Sequence, residues 1–344
     1  MSPVRDLRNA TVAITGASAG VGRAVAHRFA RARAKLALIA RDPDALNTVK
    51  DEVERLGAAA ASIHPLDVAD AAAVREAADV IAAATGAIDI WINDAMVTVF
   101  APVWQITPEE FRRVTEVTYL GFVHGTMAAL AHMRPRNRGT IVQVGSALAY
   151  RGIPLQAAYC GAKHAIRGFT DSLRTELIHA GSAVALTIVE LPAVNTPQFD
   201  WARTHMARQP RPVPPVVQPE AIAEVIFHAA LYPKREYWVG LSTLKAILGN
   251  MALPQVLDRY LARNAYGAQE TRTPVSASRR DNLMSPVTAL HRTRGSFGAE
   301  AGDAAIALAG PVARLSPLLA SALTGLSIGL LLGLASGMGR RLQR

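Results

Sequence analysis

The chain has 344 residues, half of them hydrophobic, so it can bury one large core or two smaller ones. Its single cysteine excludes an internal disulfide and a cysteine-based zinc site, and fits a reducing compartment. The net charge of +10 does not point to nucleic acid: from Arg263 onward ten arginines face four acids, which leaves the body near +4, and neither zinc-finger spacing nor basic–aromatic interleaving is present.

Short apolar runs at 11–15, 35–40, 61–66, 88–93, 140–145 and 183–190 read as strands. Alanine-rich stretches at 22–32, 43–56 and 71–85 read as the helices between them. That alternation predicts an α/β fold, a doubly wound parallel sheet of Rossmann-like type. No secretory signal is expected at the start, because the first apolar run already carries a glycine motif. Residues 198–219 hold five prolines with Phe199 and Trp201, and read as a loop or loose helix long enough to cover a site. A helix at 220–231 and a strand at 236–239 complete the sheet, and 243–263 is helical with a break at Pro254.

The folded domain is therefore expected over 1–263. Residues 264–302 are polar, basic and rich in Ser, Pro and Gly, and read as a mostly disordered linker. An apolar segment follows over 303–344. Its residues 315–339 carry no charge and lie between Arg314 and Arg340-Arg341, enough to span a hydrocarbon core of ~30 Å. Ser321, Gly325, Gly329, Gly333 and Gly337 fall at every fourth place, which lets a second helix approach closely. Membrane contact through 315–339 on the cytoplasmic side is expected, against the plainer reading of a buried or loose amphipathic tail.

Thr15-Gly16-Ala17-Ser18-Ala19-Gly20-Val21-Gly22 follows the first strand and opens a helix. Gly16 allows a turn closed to side chains, Gly20 and Gly22 let backbone approach a pyrophosphate at the helix N-terminus, and Ser18 adds a hydroxyl. After the second strand Ala40 leaves no carboxylate for ribose hydroxyls, and Arg41 offers a guanidinium to a 2′-phosphate. This favours NADP over NAD, unless Asp42 takes the arginine in a surface pair. Asp67-Val68 is placed for the adenine edge, and Asn93-Asp94-Ala95 for the adenosine ribose.

Tyr159 and Lys163 stand one helical turn apart, and Ser146 precedes Tyr159 by thirteen residues. A nearby ammonium favours the phenolate and lowers the phenol's pKa. Tyr159 then serves as general acid/base at a carbonyl or alcohol oxygen that Ser146 hydrogen-bonds, while Lys163 also holds the nicotinamide ribose. With these residues the chain resembles the short-chain dehydrogenase/reductase family in its single-domain form, over roughly 8–240. The resemblance takes in the cradle, Asp67-Val68, Asn93 with Ala95, the Ser146, Tyr159, Lys163 triad, and Pro192-Ala193-Val194-Asn195-Thr196, which is similar to the stretch that meets the nicotinamide carboxamide.

Three departures stand out. Asp94 and Met96 replace residues of the N-N-A-G signature, Thr118 stands where the family carries an asparagine supporting a water chain to the lysine, and Ala193 replaces a glycine. The leading expectation is an NADP(H)-dependent oxidoreductase acting on an apolar small-molecule carbonyl or alcohol, homo-oligomeric and free of metal. Its rivals are a catalytically weakened NADP-binding regulator and a membrane-tethered scaffold. Met96, Leu148, Tyr150, Phe199 and Trp201 are expected around the substrate, Trp91 and Trp104 in the core, and Cys160 as a packing residue.

Overall fold

Every residue of the strand Thr11–Thr15 (β1) is buried, as a parallel strand covered on both faces must be. In chain order follow α1 (Gly20–Arg31), β2 (Lys35–Ala40), α2 (Pro43–Arg55), β3 (Ala60–Pro65), α3 (Ala71–Thr85) and β4 (Ile90–Asn93). Then come α4 (Pro108–Thr115), α5 (Gly121–Met133), β5 (Thr140–Val144), α6 (Ala157–His179), β6 (Ala185–Glu190), α7 (Pro219–Leu231) and β7 (Glu236–Val239). Helices α8 (Gly240–Ala252) and α9 (Pro254–Ala268) and a short strand β8 (Ala307–Ala309) complete the main elements. The computed structural model describes residues 7–310, and the uncharged segment at 315–339 lies outside them. Among the described residues no helix is long and apolar enough to cross a membrane.

The eight strands lie in the order β8-β7-β6-β5-β4-β1-β2-β3. All neighbours are parallel except β8, which runs antiparallel to β7. Winding reverses between β1 and β4, which opens a crevice above their carboxyl ends. Local chemistry sets the helix starts. Asp42 caps α2 by accepting from the Asp44 and Ala45 amides, with Pro43 in the first turn. Asp70 caps α3, and Thr107 with Glu110 forms a capping box on α4. Apolar packing closes the layers: Phe29 of α1 meets Phe227 of α7 with ring centroids 5.0 Å apart, and fully buried Trp91 fills the other face. Burial of such a side chain is worth roughly 1.5–3 kcal/mol.

Two expectations need correction. Trp104 is 76% exposed rather than buried, because it sits in a short turn outside the sheet layers. The stretch 264–302 is not a free linker. Residues 270–274 pair with 208–210, Ala301-Gly302 pairs with Val216-Val217, and β8 extends the main sheet. Polar ties hold much of this chain: Arg279 donates to the carbonyls of Phe199 and Ala202, and Arg211 pairs with Glu300. Composition reads such a segment as solvated because its anchors are hydrogen bonds and ion pairs, with few buried apolar groups such as Leu283 and Val287.

Candidate active site

A single cavity of about 450 Å³, mostly apolar in its lining, runs over the carboxyl ends of β1, β2, β4 and β5. Its floor at one end is the β1–α1 turn. Gly16 has φ +74°, and a β-carbon there would lie 2.9 Å from the Ala95 backbone. A β-carbon on Gly22 would stand 2.3 Å from the Gly16 carbonyl oxygen. Backbone therefore comes closer here than any side chain allows, and leaves a concave surface at a helix N-terminus, suited to a pyrophosphate. Gly16, Ser18, Gly20 and Val21 line the cavity. Thr15 and Gly22 shape it from behind: the Thr15 hydroxyl accepts from the amides of Asp94 and Ala95, at 3.0 and 3.2 Å.

Arg41 lines the cavity at the end of β2. It is not paired with Asp42, whose Oδ1 caps α2. Its guanidinium donates instead to the carbonyls of Asn282 (2.6 Å), Leu283 (3.3 Å) and Met284 (3.2 Å). Asp67 and Val68 line the same end, but the Asp67 oxygens already accept from Arg113 and the Ala69 amide. Asn93 departs from its expected place beside the ribose. It is fully buried and turned into the core, donating to Gln143 (2.8 Å) and Thr126 (3.1 Å) and accepting from Trp91 (2.8 Å). Ala95 stays in the cavity wall.

The reacting centre lies over β5. Ser146 ends the strand, and Tyr159 and Lys163 project from α6 into the same cavity. The Ser146 side chain stands by the Tyr159 phenol and acts to lower its pKa. Lys163 Nζ donates to the Val144 carbonyl at 2.7 Å and lies 5.5 Å from the Tyr159 ring centre. The phenol pKa is raised, contrary to expectation. Burial is the largest cause, with Cys160, Asp94 and Glu190 adding to it and Ser146 opposing. Burial likewise pushes Lys163 down and Asp94 up, with their mutual attraction opposing both shifts. Asp94 Oδ2 lies against Gly22, so the acid in the altered signature sits at the N-terminus of α1, where the Gly22 amide acts to lower its pKa.

Thr118 is fully buried and lies outside the cavity lining. Its hydroxyl donates to the Val97 carbonyl (2.8 Å) and accepts from the Val97 amide (3.0 Å), so it has no hydrogen left to hold a water chain. At the far end Pro192, Val194 and Thr196 line the cavity, while Asn195 is buried against Gln218. Met96, Leu148, Phe199 and Trp201 line the substrate side. Tyr150 does not, because its hydroxyl is drawn away to donate to Glu236.

Two contributors escape a reading of the sequence. Glu190, fully buried at the end of β6, accepts the Ser146 amide at 2.6 Å, and burial beside Glu236 raises its pKa to about 8. An acid ending an apolar strand is the one signal it leaves in the sequence. Asn282, Val287 and His291 line the cavity from the C-terminal segment, where no motif marks them. Among the described residues no cluster of side chains suited to a metal ion is present.

A family profile described as short chain dehydrogenase matches residues 10–206. The chain is 32% identical over 291 residues to the uncharacterized oxidoreductase YxnA of Bacillus subtilis, an alignment covering 84% of this chain and 81% of that protein. It is 37% identical over 183 residues to the putative oxidoreductase SadH of Mycobacterium tuberculosis, covering 53% of this chain and 66% of that one. It is 34% identical over 178 residues to human dehydrogenase/reductase SDR family member 7, covering 51% and 52% of the two chains.

Proposed function

Because the chain belongs to the short-chain dehydrogenase family, whose members bind a nicotinamide nucleotide, we propose that it is an NADP(H)-dependent oxidoreductase. Its substrate would be an apolar small molecule carrying a carbonyl or a secondary alcohol. The observation that carries this reading is the continuity of one cavity from the glycine turn to the Ser146–Tyr159 pair. When bound, the nicotinamide supplies or accepts the hydride. Gly16, Ser18 and Val21 would hold the pyrophosphate beside Gly20, whose amide donates to the Arg292 carbonyl, and Lys163 the ribose beside Tyr159. Arg41 at the end of β2, with no carboxylate on Ala40, supports the phosphorylated cofactor. Thr15 and Gly22 shape the cradle without lining it, and Pro192, Val194 and Thr196 bound the nicotinamide end.

Tyr159 would give its phenolic proton to the carbonyl oxygen. Its raised pKa keeps that proton in place at neutral pH, which suits the reductive direction. Ser146 would hydrogen-bond the same oxygen, and the Glu190 carboxyl steadies the Ser146 backbone. Phe199 and Trp201, with Met96 and Leu148, would exclude water around an apolar substrate. The decisive experiment is NADPH oxidation over a panel of ketones, aldehydes and steroid- or lipid-like carbonyls, repeated with Tyr159→Phe. Turnover in the variant should fall by about 10² or more, with NADPH binding little changed. Near-parent turnover would sink the mechanism. The engaged hydroxyl of Thr118 favours the rival reading of a weakened regulator, which gains if the parent binds NADPH tightly and turns nothing over.

Membrane association through 315–339 belongs to the same proposal. Full-length protein should sediment with membranes, and a chain ending at Gly310 should not. A cut at Gly302 is the wrong test, since it removes β8 from the sheet.

A further inference from the structure

The chain between Asn282 and Gly298 crosses the outer lip of the cavity, far beyond the residues that match the family profile. The Arg292 carbonyl accepts from the Gly20 amide at 3.0 Å, in the first turn of α1. The His291 carbonyl accepts from Arg23 at 2.8 Å, and the His291 Nε2 atom stands 3.1 Å from Asp42 Oδ2. The three carbonyls of Asn282, Leu283 and Met284 hold the Arg41 guanidinium. Leu283, fully buried, packs in the cluster that contains Val68 and Val117. Gly295 pins the far end. Its amide donates to the Asn195 carbonyl at 3.0 Å, and a β-carbon there would lie 2.3 Å from the Thr196 carbonyl oxygen.

Open space remains beneath this strap. Asp67, Val68, Asn282, Val287 and His291 line it, beside the direct contacts of Arg41 and Asp42 with the strap. Three polar atoms on the strap side are buried with no hydrogen-bond partner, Asn282 Oδ1 and both ring nitrogens of His291, of which Nε2 stands near Asp42. Asn282 is 6% exposed and the His291 side chain 10%. Buried polar atoms are normally satisfied. Both residues line the cavity that holds the anion cradle, and an acceptor and a ring nitrogen match the amine and hydroxyl groups of an adenosine.

We propose that this strap is a cofactor-binding element, a roof closed over the adenosine half of the dinucleotide, with Asn282 and His291 as its ligating side chains. It rests on the reading that the cavity takes a nicotinamide dinucleotide. The strap touches the cradle at the Gly20 amide and at Arg23, and open cavity remains beside those contacts, so it acts as a roof and not a plug. Release of the cofactor then requires the strap to lift.

The test uses the full chain with NADPH and NADH, read by titration and by dissociation rate in a fluorescence displacement assay. Asn282→Ala removes the acceptor. His291→Phe removes the ring nitrogens and keeps an aromatic ring against Trp201, whose centre lies 5.3 Å away. Each should weaken NADPH binding by about tenfold, the worth of one hydrogen bond to a buried group, mainly through faster dissociation. In the unaltered chain, saturating NADPH should slow tryptic cleavage after Arg292 and Arg294. Unchanged affinity in both variants, tighter binding in either, or cleavage indifferent to NADPH would each overturn the roof. If the parent binds neither dinucleotide, the function proposed above falls with it. If the parent binds and Tyr159→Phe is inactive while strap variants bind as the parent does, the strap alone is wrong.

Discussion

The cradle and the strap are two walls of one cavity, and they are built by different physics. The cradle wall, Gly16 to Gly22, is a strand–turn–helix junction whose shape is set by backbone approach inside regular elements. The strap wall, Asn282 to Gly298, is irregular chain held by carbonyl acceptors and ion pairs, among them Arg292–Asp200 and Arg294–Glu220. Each has one glycine pressed against a carbonyl oxygen: a β-carbon would lie 2.3 Å away at both Gly22 and Gly295. At Gly22 the neighbours are a buried turn and Asp94, with Gly16 backed in turn by Ala95. At Gly295 the neighbours are the Thr196 carbonyl and the Asn195 amide oxygen, in the irregular chain that follows β6. The same missing side chain thus closes a rigid junction in one place and lays one irregular segment on another in the other.

Gly22→Ala should have the largest effect. Neither the Gly16 carbonyl nor Asp94 can retreat, so overpacking of ~1–3 kcal/mol is expected, and dinucleotide binding should drop out of range in a fluorescence titration. Gly295→Ala should cost less stability and leave binding measurable. Equal damage from the two substitutions, by thermal melts and titration, would erase the distinction between the walls.

A second change leaves both walls alone and alters the floor beneath them. Burial, then Glu236, raises the Glu190 pKa from 4.5 to about 8. Between those values the folded protein keeps a proton that the unfolded chain has released. Stability from this group is present in full below about pH 4.5 and is lost as pH rises to about 8, with a slope of at most ~1.4 kcal/mol per pH unit. Glu190→Gln keeps an acceptor for the Ser146 amide and removes the titration. Melting temperature should then vary less over pH 5–8 than in the parent, and an unchanged profile would show that Glu190 is ionised in the fold.

The smallest effect belongs to Arg41, which serves both walls. Arg41→Ala should weaken NADPH relative to NADH by about tenfold or more, the scale of a charge-assisted hydrogen bond to phosphate. Equal losses for the two cofactors would mean that Arg41 serves only to hold the strap.

Much of the first wall was legible in the sequence. The ranges 11–15, 35–40, 71–85 and 236–239 match β1, β2, α3 and β7 to the residue, because burial period and capping residues are local signals. The spacing from Ser146 to Tyr159 and Lys163 brings three side chains to one cavity for the same reason: one strand end and one helical turn place them. Side-chain direction was not legible. Asn93, Thr118 and Tyr150 sit where motif and neighbourhood suggest the cavity, yet each is turned away by a partner distant in sequence: Gln143 and Thr126, Val97, and Glu236. The raised phenol of Tyr159 belongs to the same class, since burial, with Cys160, Asp94 and Glu190 adding to it, outweighs Ser146.

What this sequence determined by itself was the order of strands and helices, the glycine turn and the catalytic spacing, all of which depend on residues within a helical turn or a strand of one another. Only the tertiary structure decided the second wall. No periodicity marks 282–298, and its contacts join residues some 240 to 270 positions apart, such as Arg41 with Asn282 and Arg23 with His291. Hydrogen bonds to backbone carbonyls carry no signature in residue type, since every residue supplies the same acceptor. A strap held by them therefore reads as a linker until the chain is folded around it.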